Sequence, residues 1–282
     1  MQYAAILERY SGRFASVNEI RWAIEEALER HGYGHPYGTT NLPNDPEFAK
    51  SLKSTLDEWA GRRSAGEPFQ YIIGHWPFAG LDLICDSRAL IPRPETEGLV
   101  ELVISDLRNG DKRDVRVLDL GCGTGAIGLS LAASGLVSHV TLVDFSEGAC
   151  ELTRENRERN GTSIHCEVEV VQSNWFDGLA GSEYDLIVSN PPYIKTSDIV
   201  NLQVELTMEP VSALDGGRDG IEPYRLILRE AMKYLSGEGI IYFEIGFDQG
   251  NDLVRLSKDF GFSHVEIVKD LALLDRYVVA SA

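Results

Sequence analysis

A glycine-rich segment is the first part of this sequence whose residue types and spacing could do chemistry. It reads Asp119-Leu120-Gly121-Cys122-Gly123-Thr124-Gly125 and stands between a predicted strand, residues 115–119, and a predicted helix, residues 126–133. Glycine allows a tight backbone turn and a close approach to a ligand, where a β-carbon would clash. Dinucleotide-binding enzymes place a similar loop after a strand, so the loop indicates a small-molecule cofactor without identifying it.

Two details of this segment favour a cofactor that carries an ammonium group. The glycines are spaced G-x-G-x-G rather than G-x-G-x-x-G, and Asp119 ends the strand just before them. We expect Asp119 to hold the ammonium group, directly or through water, which a pyrophosphate ligand would not require. The loop residues predicted to bind the same cofactor are Gly121, Cys122, Gly123, Thr124 and Gly125.

Asp144 ends the next predicted strand, residues 140–144. A carboxylate there can accept hydrogen bonds from both hydroxyls of an adenosine ribose. An ordinary turn aspartate is the alternative, which the neighbouring glycine loop disfavours. Asn174 and Trp175 follow the third strand, residues 168–172, where the adenine is expected, although from pattern alone Trp175 is equally a core tryptophan.

Asn190-Pro191-Pro192-Tyr193 follows the predicted strand at residues 184–189. It resembles the motif of methyltransferases that act on nitrogen in planar amide or amino groups, which makes S-adenosylmethionine the expected cofactor. An amide nitrogen is a poor nucleophile, because its lone pair is delocalised into the carbonyl. The Asn190 side-chain oxygen and the Pro191 carbonyl can accept hydrogen bonds from its two N–H groups, so that the lone pair turns towards the methyl donor.

The other residues of the motif support this arrangement. The prolines fix the backbone, so that both acceptors are already oriented, and the Tyr193 ring offers a flat surface to a planar amide or base. No strong general base is needed before attack, because the methylated nitrogen becomes acidic and loses its proton easily. The predicted catalytic and substrate-binding residues are therefore Asn190, Pro191, Pro192 and Tyr193, with Asn190 also near the cofactor.

The motif alone does not choose the substrate. It also resembles the motif of DNA adenine methyltransferases and some ribosomal RNA methyltransferases, which would flip a base into the same site. The formal net charge of −18 counts against a nucleic-acid substrate, since phosphate neutralisation needs a basic face. A non-catalytic cofactor-binding protein is the third possibility, and the intact motif disfavours it.

Separated stretches in the expected order resemble the PrmC/HemK family, the peptide chain release factor N5-glutamine methyltransferases. They are residues 66–74 (GEPFQYIIG), 90–97 (LIPRPETE), 209–214 (EPVSAL) and 243–246 (FEIG), together with the two motifs above. The resemblance extends from about residue 66 to the C-terminus. Related ribosomal-protein enzymes differ in the Arg-Pro-Glu-Thr-Glu segment, so that segment favours the release-factor branch.

The resemblance implies methylation of the glutamine in the Gly-Gly-Gln loop of release factors. The alternation of predicted strands and helices from about residue 94 onward indicates an α/β fold with a mostly parallel sheet covered on both faces. The resemblance implies that this is a Rossmann-like methyltransferase domain with a seven-stranded sheet and a small N-terminal helical domain. We expect Arg93, Glu95 and Glu97 to order the active-site wall or bind the substrate loop, although they could be solvated charges before a helix. Residues 194–221 show little strand or helix pattern, and we interpret them as a flap that grips the substrate.

The elements that must position these residues divide the chain into three parts. We predict a helical domain for substrate docking at residues 1–73, a β-hairpin linker at 74–93 and the methyltransferase domain at 94–282. Ser16 and Glu19 form a capping-box signature for one helix, and Asp45-Pro46 can start another. Further strands are predicted at residues 239–245 and 276–280, and further helices at 146–159, 223–235 and 248–260.

Composition limits the remaining possibilities. Hydrophobic residues make up 43% and charged residues 25%, which is typical of a soluble globular protein. No apolar run approaches the roughly 18 residues that span a bilayer, and the first residues lack the pattern of a secretory signal. The four cysteines and six histidines have no metal-ligand spacing. We expect a cytoplasmic monomer that binds no metal, nucleic acid or membrane.

Overall fold

The computed structural model of this protein describes residues 3–33, 45–110, 114–179, 181 and 183–281. The chain divides into two compact units, one made of Met1–Gly74 with Val204–Met208 and the other of His75–Gln203 with Glu209–Ala282. Residues His31 to Pro43 are rich in Gly, Pro and Thr, which predicts a loop. This segment falls mostly outside the described residues.

The first unit is helical. Its helices are α1 (Tyr3–Tyr10), α2 (Val17–Arg30), α3 (Pro46–Ser64) and α4 (Phe69–Ile73). Ser16 caps α2 by accepting a hydrogen bond from the Glu19 amide at 3.1 Å, as the capping-box signature predicts. Apolar residues at helical spacing are buried between the helices, among them Ile20, Ile24, Leu28, Leu52, Leu56 and Trp59.

Part of the predicted flap belongs to this helical unit. The buried guanidinium of Arg63 pairs with Glu19 at 3.0 Å and with Glu205 at 2.6 Å. Gly66 has a φ of +93°, and a β-carbon there would lie 2.6 Å from Val204 Cγ1. Glycine is therefore required where residues 204–208 pack closely.

The second unit begins with an antiparallel hairpin, β1 (His75–Phe78) and β2 (Leu81–Ile84), with Gly80 in the turn at a φ of +84°. Strands and helices then alternate, as expected for a sheet covered on both faces. They are α5 (Pro94–Asn109), β3 (Arg116–Leu120), α6 (Ala126–Ala133), β4 (His139–Asp144), α7 (Glu147–Arg159), β5 (Glu167–Gln172), β6 (Tyr184–Ser189), α8 (Glu222–Ala231), β7 (Leu235–Glu244), α9 (Gly250–Asp259), β8 (His264–Lys269) and β9 (Asp275–Ser281).

Within the described residues, seven strands form one sheet in the order β5-β4-β3-β6-β7-β9-β8. The pairs from β5 to β7 are parallel, and β9 is antiparallel to both of its neighbours. Neighbouring residues of β3 enter different core clusters, Val117 with Leu129 and Leu118 with Phe243. Side chains alternate along a strand, so both faces of the sheet are covered. The predicted α/β fold with a mostly parallel sheet is confirmed.

Some elements differ from the sequence-based expectation. Strand β8 was not expected, and it is an edge strand whose residues are exposed or half-buried in alternation. Helix α8 ends at Ala231 because Leu235 already belongs to β7. Helix α5 begins at Pro94, so Glu95 and Glu97 lie in its first turn. Residues 194–221 contain three short 3-10 helices, Ile199–Asn201, Leu206–Met208 and Val211–Ala213.

Gly128 lets α6 pack closely on the sheet, and this packing can be tested. A β-carbon there would lie 2.3 Å from Leu142 Cδ2 and 3.0 Å from Asp119 Oδ2. We expect Gly128→Ala to lower the free energy of unfolding by about 1–3 kcal/mol through overpacking. Gly61→Ala in α3 is the control, because no described atom lies within 4 Å of its β-carbon. Helix propensity alone should stabilise that variant by about 0.5–1 kcal/mol. Urea unfolding of both variants measures the contrast, and equal stabilities would contradict it.

Candidate active site

A cavity of about 320 Å³ lies at the carboxyl ends of β3, β4, β5 and β6. In open α/β sheets ligands bind at this edge, where the strand order changes direction. The residues singled out from the sequence that line the cavity are Arg93, Gly121, Cys122, Gly123, Thr124, Asp144, Asn174, Trp175, Asn190 and Pro192. Those that are not part of the cavity wall are Glu95, Glu97, Asp119, Gly125, Pro191 and Tyr193.

The glycine loop is held open by backbone hydrogen bonds. The amides of Gly121 and Cys122 donate to the Val143 carbonyl at 2.8 and 2.9 Å. Gly121 and Gly123 have φ values of +75° and +57°, which a residue with a β-carbon adopts at a cost. The Thr153 hydroxyl donates to the Gly123 carbonyl at 2.9 Å. These hydrogen bonds place the loop backbone along the cavity wall, where its glycines have no side chains to block a ligand.

Asp144 is held where β4 ends. Its Oδ2 accepts the Gly123 amide at 3.0 Å, and its Oδ1 accepts the Ser146 amide at 2.9 Å. Burial raises the pKa of its carboxyl group. Each carboxylate oxygen has a further lone pair. Asp144 therefore lines the cavity as a fixed acceptor that can take the hydroxyls of a ribose.

Asp119 is fully buried behind the loop. Its Oδ2 accepts the Gly128 amide at 2.9 Å, whereas its Oδ1 has no hydrogen-bond partner among the described residues. Burial raises the pKa of its carboxyl group to about 7. A buried carboxylate oxygen without a partner is costly, and a cationic group, reached directly or through water, would satisfy it.

The loop after β6 presents one end of its motif to the cavity. Asn190 lies on the wall, and its Nδ2 donates to Thr96 Oγ1 at 3.2 Å. Pro191 is buried, and Tyr193 is half-buried against the core cluster that contains Leu118 and Phe243. Burial raises the pKa of the Tyr193 phenol to about 12, so the ring is neutral near pH 7.

Glycine and glutamine hold the backbone of Tyr193 from behind. Gln249 Nε2 donates to the Tyr193 carbonyl at 3.1 Å. A β-carbon on Gly216 would lie 2.7 Å from Tyr193 Cα, so this close approach requires glycine. The Gly216 amide also donates to the Ile194 carbonyl at 2.7 Å. The residues after the motif are thus fastened to the far end of the predicted flap.

The acidic and basic residues ahead of the glycine loop have separate surroundings. Arg93 pairs with the buried carboxylate of Glu209, which also accepts the Ile91 amide at 2.9 Å. Glu97 accepts the Ala79 amide at 2.8 Å. Glu95 is exposed, and its carbonyl accepts the Tyr277 hydroxyl at 2.6 Å. The structure brings only Arg93 of these three to the cavity.

This chain is similar in sequence to known methyltransferases. A family model described as "Methyltransferase small domain" matches residues 99–218. A release factor glutamine methyltransferase from Agrobacterium fabrum is 43% identical over 76% of this chain and 74% of its own length. One from Thermodesulfovibrio yellowstonii is 35% identical over 93% of this chain and 94% of its own length. This chain belongs to the release factor glutamine methyltransferase family.

The fold of this family member is shared more widely. A methyltransferase from Pyrococcus furiosus superposes with a TM-score of 0.51 at 19% identity, covering 72% of this chain and 89% of that chain. Such a likeness supports the Rossmann-like methyltransferase fold alone. The family assignment expected from the sequence motifs is confirmed by the relatives.

Sequence reasoning missed several residues of this methyltransferase cavity. Phe145 lines the cavity, and 57% of its surface is exposed. Its position directly after Asp144 is the sequence feature that could have predicted it. Thr96 also lines the cavity, and it lies inside the Arg-Pro-Glu-Thr-Glu segment, where the sequence pattern directs attention to its charged neighbours. Glu209 and Glu244 do not line the cavity but contact residues that do, Arg93 and Thr96, and nothing in their local sequence indicates those contacts.

In the part of the chain that the structure describes, no cluster of three or more His, Cys, Asp or Glu side chains could hold a metal ion. None of the helices described is long and apolar enough to cross a membrane.

Proposed function

We propose that this protein transfers a methyl group from S-adenosylmethionine to the side-chain amide nitrogen, N5, of the glutamine in the Gly-Gly-Gln loop of peptide chain release factors. Membership of the family supports the reaction and the substrate. The observation that carries the proposal is Asn190, which follows β6 on the wall of the cavity and donates through Nδ2 to Thr96. This bond leaves the Asn190 carbonyl oxygen available to an amide N–H.

The cavity residues fit the cofactor. When bound, S-adenosylmethionine supplies an electrophilic methyl group on a sulfonium centre. We assign Asp144 to the ribose hydroxyls, Asp119 to the ammonium group, and the loop from Gly121 to Gly125 to close backbone contact. Asn174 and Trp175 are assigned to the adenine side, where Phe145 adds an aromatic face. The buried Asp119 oxygen without a partner is the observation that favours a cationic ligand.

The chain's own residues then act by orientation. Asn190 Oδ1 and the Pro191 carbonyl accept hydrogen bonds from the two N–H groups of the substrate amide. These bonds turn the nitrogen lone pair towards the reacting methyl group. Tyr193 stays neutral, since its pKa is about 12, and contributes a flat surface rather than a base. Holding the reacting groups in the correct orientation can lower the activation barrier by about 7–11 kcal/mol. Correct placement of the amide is thus the main demand on the site.

The substrate loop needs a slim backbone and remote contacts. Glycines beside the target glutamine let it enter the cavity, which is lined on one side by residues 88–93 and on another by residues after Glu209. We propose that residues 194–221 grip this loop and that the helical unit docks the body of the release factor. Arg93, Glu95 and Glu97 are assigned to the substrate side. Binding energy from remote contacts would place the glutamine for reaction.

No observation favours a nucleic-acid substrate over a protein one, and the net charge of −18 speaks against it. We place the protein in the cytoplasm, where release factors act, and expect it to work as a monomer.

Mass spectrometry of a treated release factor tests the substrate. With S-adenosylmethionine, the intact factor should gain one methyl group on the glutamine of its Gly-Gly-Gln loop. A short peptide with the same three residues should react far more slowly, because it lacks the remote contacts.

The matched control is a release factor in which that glutamine is replaced by asparagine, which should gain no methyl group. DNA added to the same reaction serves as the competing substrate. Methyl groups on adenine with none on the release factor would overturn the proposal.

A further inference from the structure

Three side chains from distant parts of the chain form a buried polar relay that ends at the cavity. Thr96, in the first turn of α5, donates its hydroxyl proton to Glu244 Oε2 at 2.7 Å. Asn190 Nδ2 donates to the same Thr96 oxygen at 3.2 Å. Glu244, the last residue of β7, is 1% exposed, and Thr96 is 4% exposed. Only Thr96 and Asn190 line the cavity.

The direction of each hydrogen bond follows from the number of protons available. An ionised carboxylate accepts hydrogen bonds and donates none, and a threonine hydroxyl has a single proton. Once that proton goes to Glu244, Thr96 Oγ1 can only accept from its other neighbour. An amide has donors on nitrogen alone, so Asn190 must turn its Nδ2 towards Thr96. Its Oδ1 is then left for the cavity.

We propose that Glu244, acting through the Thr96 hydroxyl, is a positioning residue that fixes which end of the Asn190 amide faces the substrate. This inference rests on the proposed function, since a substrate amide needs an acceptor at that point. If the Asn190 amide turned over, its NH₂ group would face the substrate N–H, and the bond that orients the substrate would be lost. The relay therefore selects the productive one of two side-chain orientations of nearly equal shape.

The ionisation of Glu244 decides whether the relay holds. Burial raises the pKa of its carboxyl group to about 7, while the Thr96 hydrogen bond, Arg276 and Asn190 oppose that rise and the charge on Glu95 adds to it. A protonated Glu244 can donate to Thr96, which frees the Thr96 proton for Asn190 Oδ1. The charged and titratable groups around Glu244 are Glu95, Tyr193, Tyr224, Arg276 and Tyr277.

Activity and stability should then respond to pH in opposite directions. The productive orientation is present above about pH 7 and is lost as the pH falls through the pKa of Glu244. Because that pKa is raised, the contribution of Glu244 to folding is largest at low pH and is lost as the pH rises through about 7. A neutral residue at 244 should therefore leave the protein at least as stable at pH 8.

Substitutions at Thr96 and Glu244 test the relay. Thr96→Val keeps the shape but removes the hydroxyl, and Thr96→Ser keeps the hydroxyl. Glu244→Gln is neutral and can either donate to Thr96 or accept from it, so it no longer fixes the direction of the hydrogen bond. We expect Thr96→Val and Glu244→Gln to lower kcat roughly 10- to 100-fold, less than loss of a direct contact. The KM for the release factor and the Kd for S-adenosylhomocysteine should change less than about twofold.

The conservative variant and the pH profile separate positioning from a merely structural role. Thr96→Ser should restore kcat, and Glu244→Gln should lose the acid limb of the kcat profile near pH 7 while melting no lower than the native protein at pH 8. If Thr96→Val and Glu244→Gln kept the native kcat and pH profile, the inference would be overturned.

If the proposed function is wrong, the native protein will transfer no methyl group to the release factor. The relay can still be tested by a measurement that needs no substrate. The side-chain NH₂ resonances of Asn190, assigned with the Asn190→Ala variant, should shift with pH around a midpoint near 7. Glu244→Gln should abolish that midpoint. The same midpoint in both proteins would refute the relay.

Discussion

Asn190→Ala should lower the rate of methyl transfer to the intact release factor by about 100-fold or more, as roughly expected for the loss of a preorganised polar group. Alanine removes the acceptor that orients the substrate amide. Single-turnover kinetics with saturating cofactor measure the chemical step directly.

The fold should survive this change, because Asn190 is half-buried on the cavity wall, where its Nδ2 donates to Thr96. Asn251→Ala, at an exposed position of α9, is the matched control and should keep the native rate. A modest loss of cofactor affinity would be compatible with the mechanism, since Asn190 also borders the cofactor side. Near-native turnover by Asn190→Ala would refute the mechanism.

Asp144→Ala should weaken binding of S-adenosylhomocysteine roughly 10- to 150-fold. Hydrogen bonds to a charged group contribute about 1.5–3 kcal/mol, which corresponds to that range in the dissociation constant. The same carboxylate accepts the amides of Gly123 and Ser146, so alanine also loosens the glycine loop. Isothermal titration calorimetry gives the affinity, and a melting curve gives the accompanying change in stability.

Two further variants serve as comparisons. Asp144→Asn keeps one acceptor oxygen but turns an NH₂ group towards the Gly123 or the Ser146 amide, and it should bind with intermediate affinity. Asp252→Ala removes an exposed carboxylate of α9, which pairs with Arg255 at 2.5 Å, and should bind as the native protein does. Unchanged affinity in Asp144→Ala would remove this residue from the cofactor site.

Local sequence pattern was enough to predict the parts of the site that follow strands. Asp144 and Asn190 each come directly after a buried apolar run, and the glycine loop lies between such a run and a helix. Parallel strands place their carboxyl ends at one edge of a sheet, so residues at these positions must gather there. Strand β8 was not predicted, although it is an edge strand with the same alternation of exposed and half-buried residues as the predicted strand β5.

The charged residues ahead of the glycine loop show the limit of this reasoning. Arg93, Glu95 and Glu97 are alike in a linear pattern, yet only Arg93 reaches the cavity. The start of α5 at Pro94 turns successive side chains in different directions, about 100° apart. A helix boundary displaced by a few residues therefore changes which side chain faces the site, and Thr96 rather than its neighbours meets Asn190.

The sequence by itself determined the fold class, the place of the glycine loop and the positions of Asp144 and Asn190 at strand ends, because strands and turns depend on hydrophobic periodicity and on glycine over short stretches. Only the tertiary structure decided the partners of the buried charges. Arg93 and Glu209 are 116 residues apart, and Thr96 and Glu244 are 148 apart. Buried charges must find partners to offset the loss of water. That partner is set by how helices and strands pack in space, which no local pattern records.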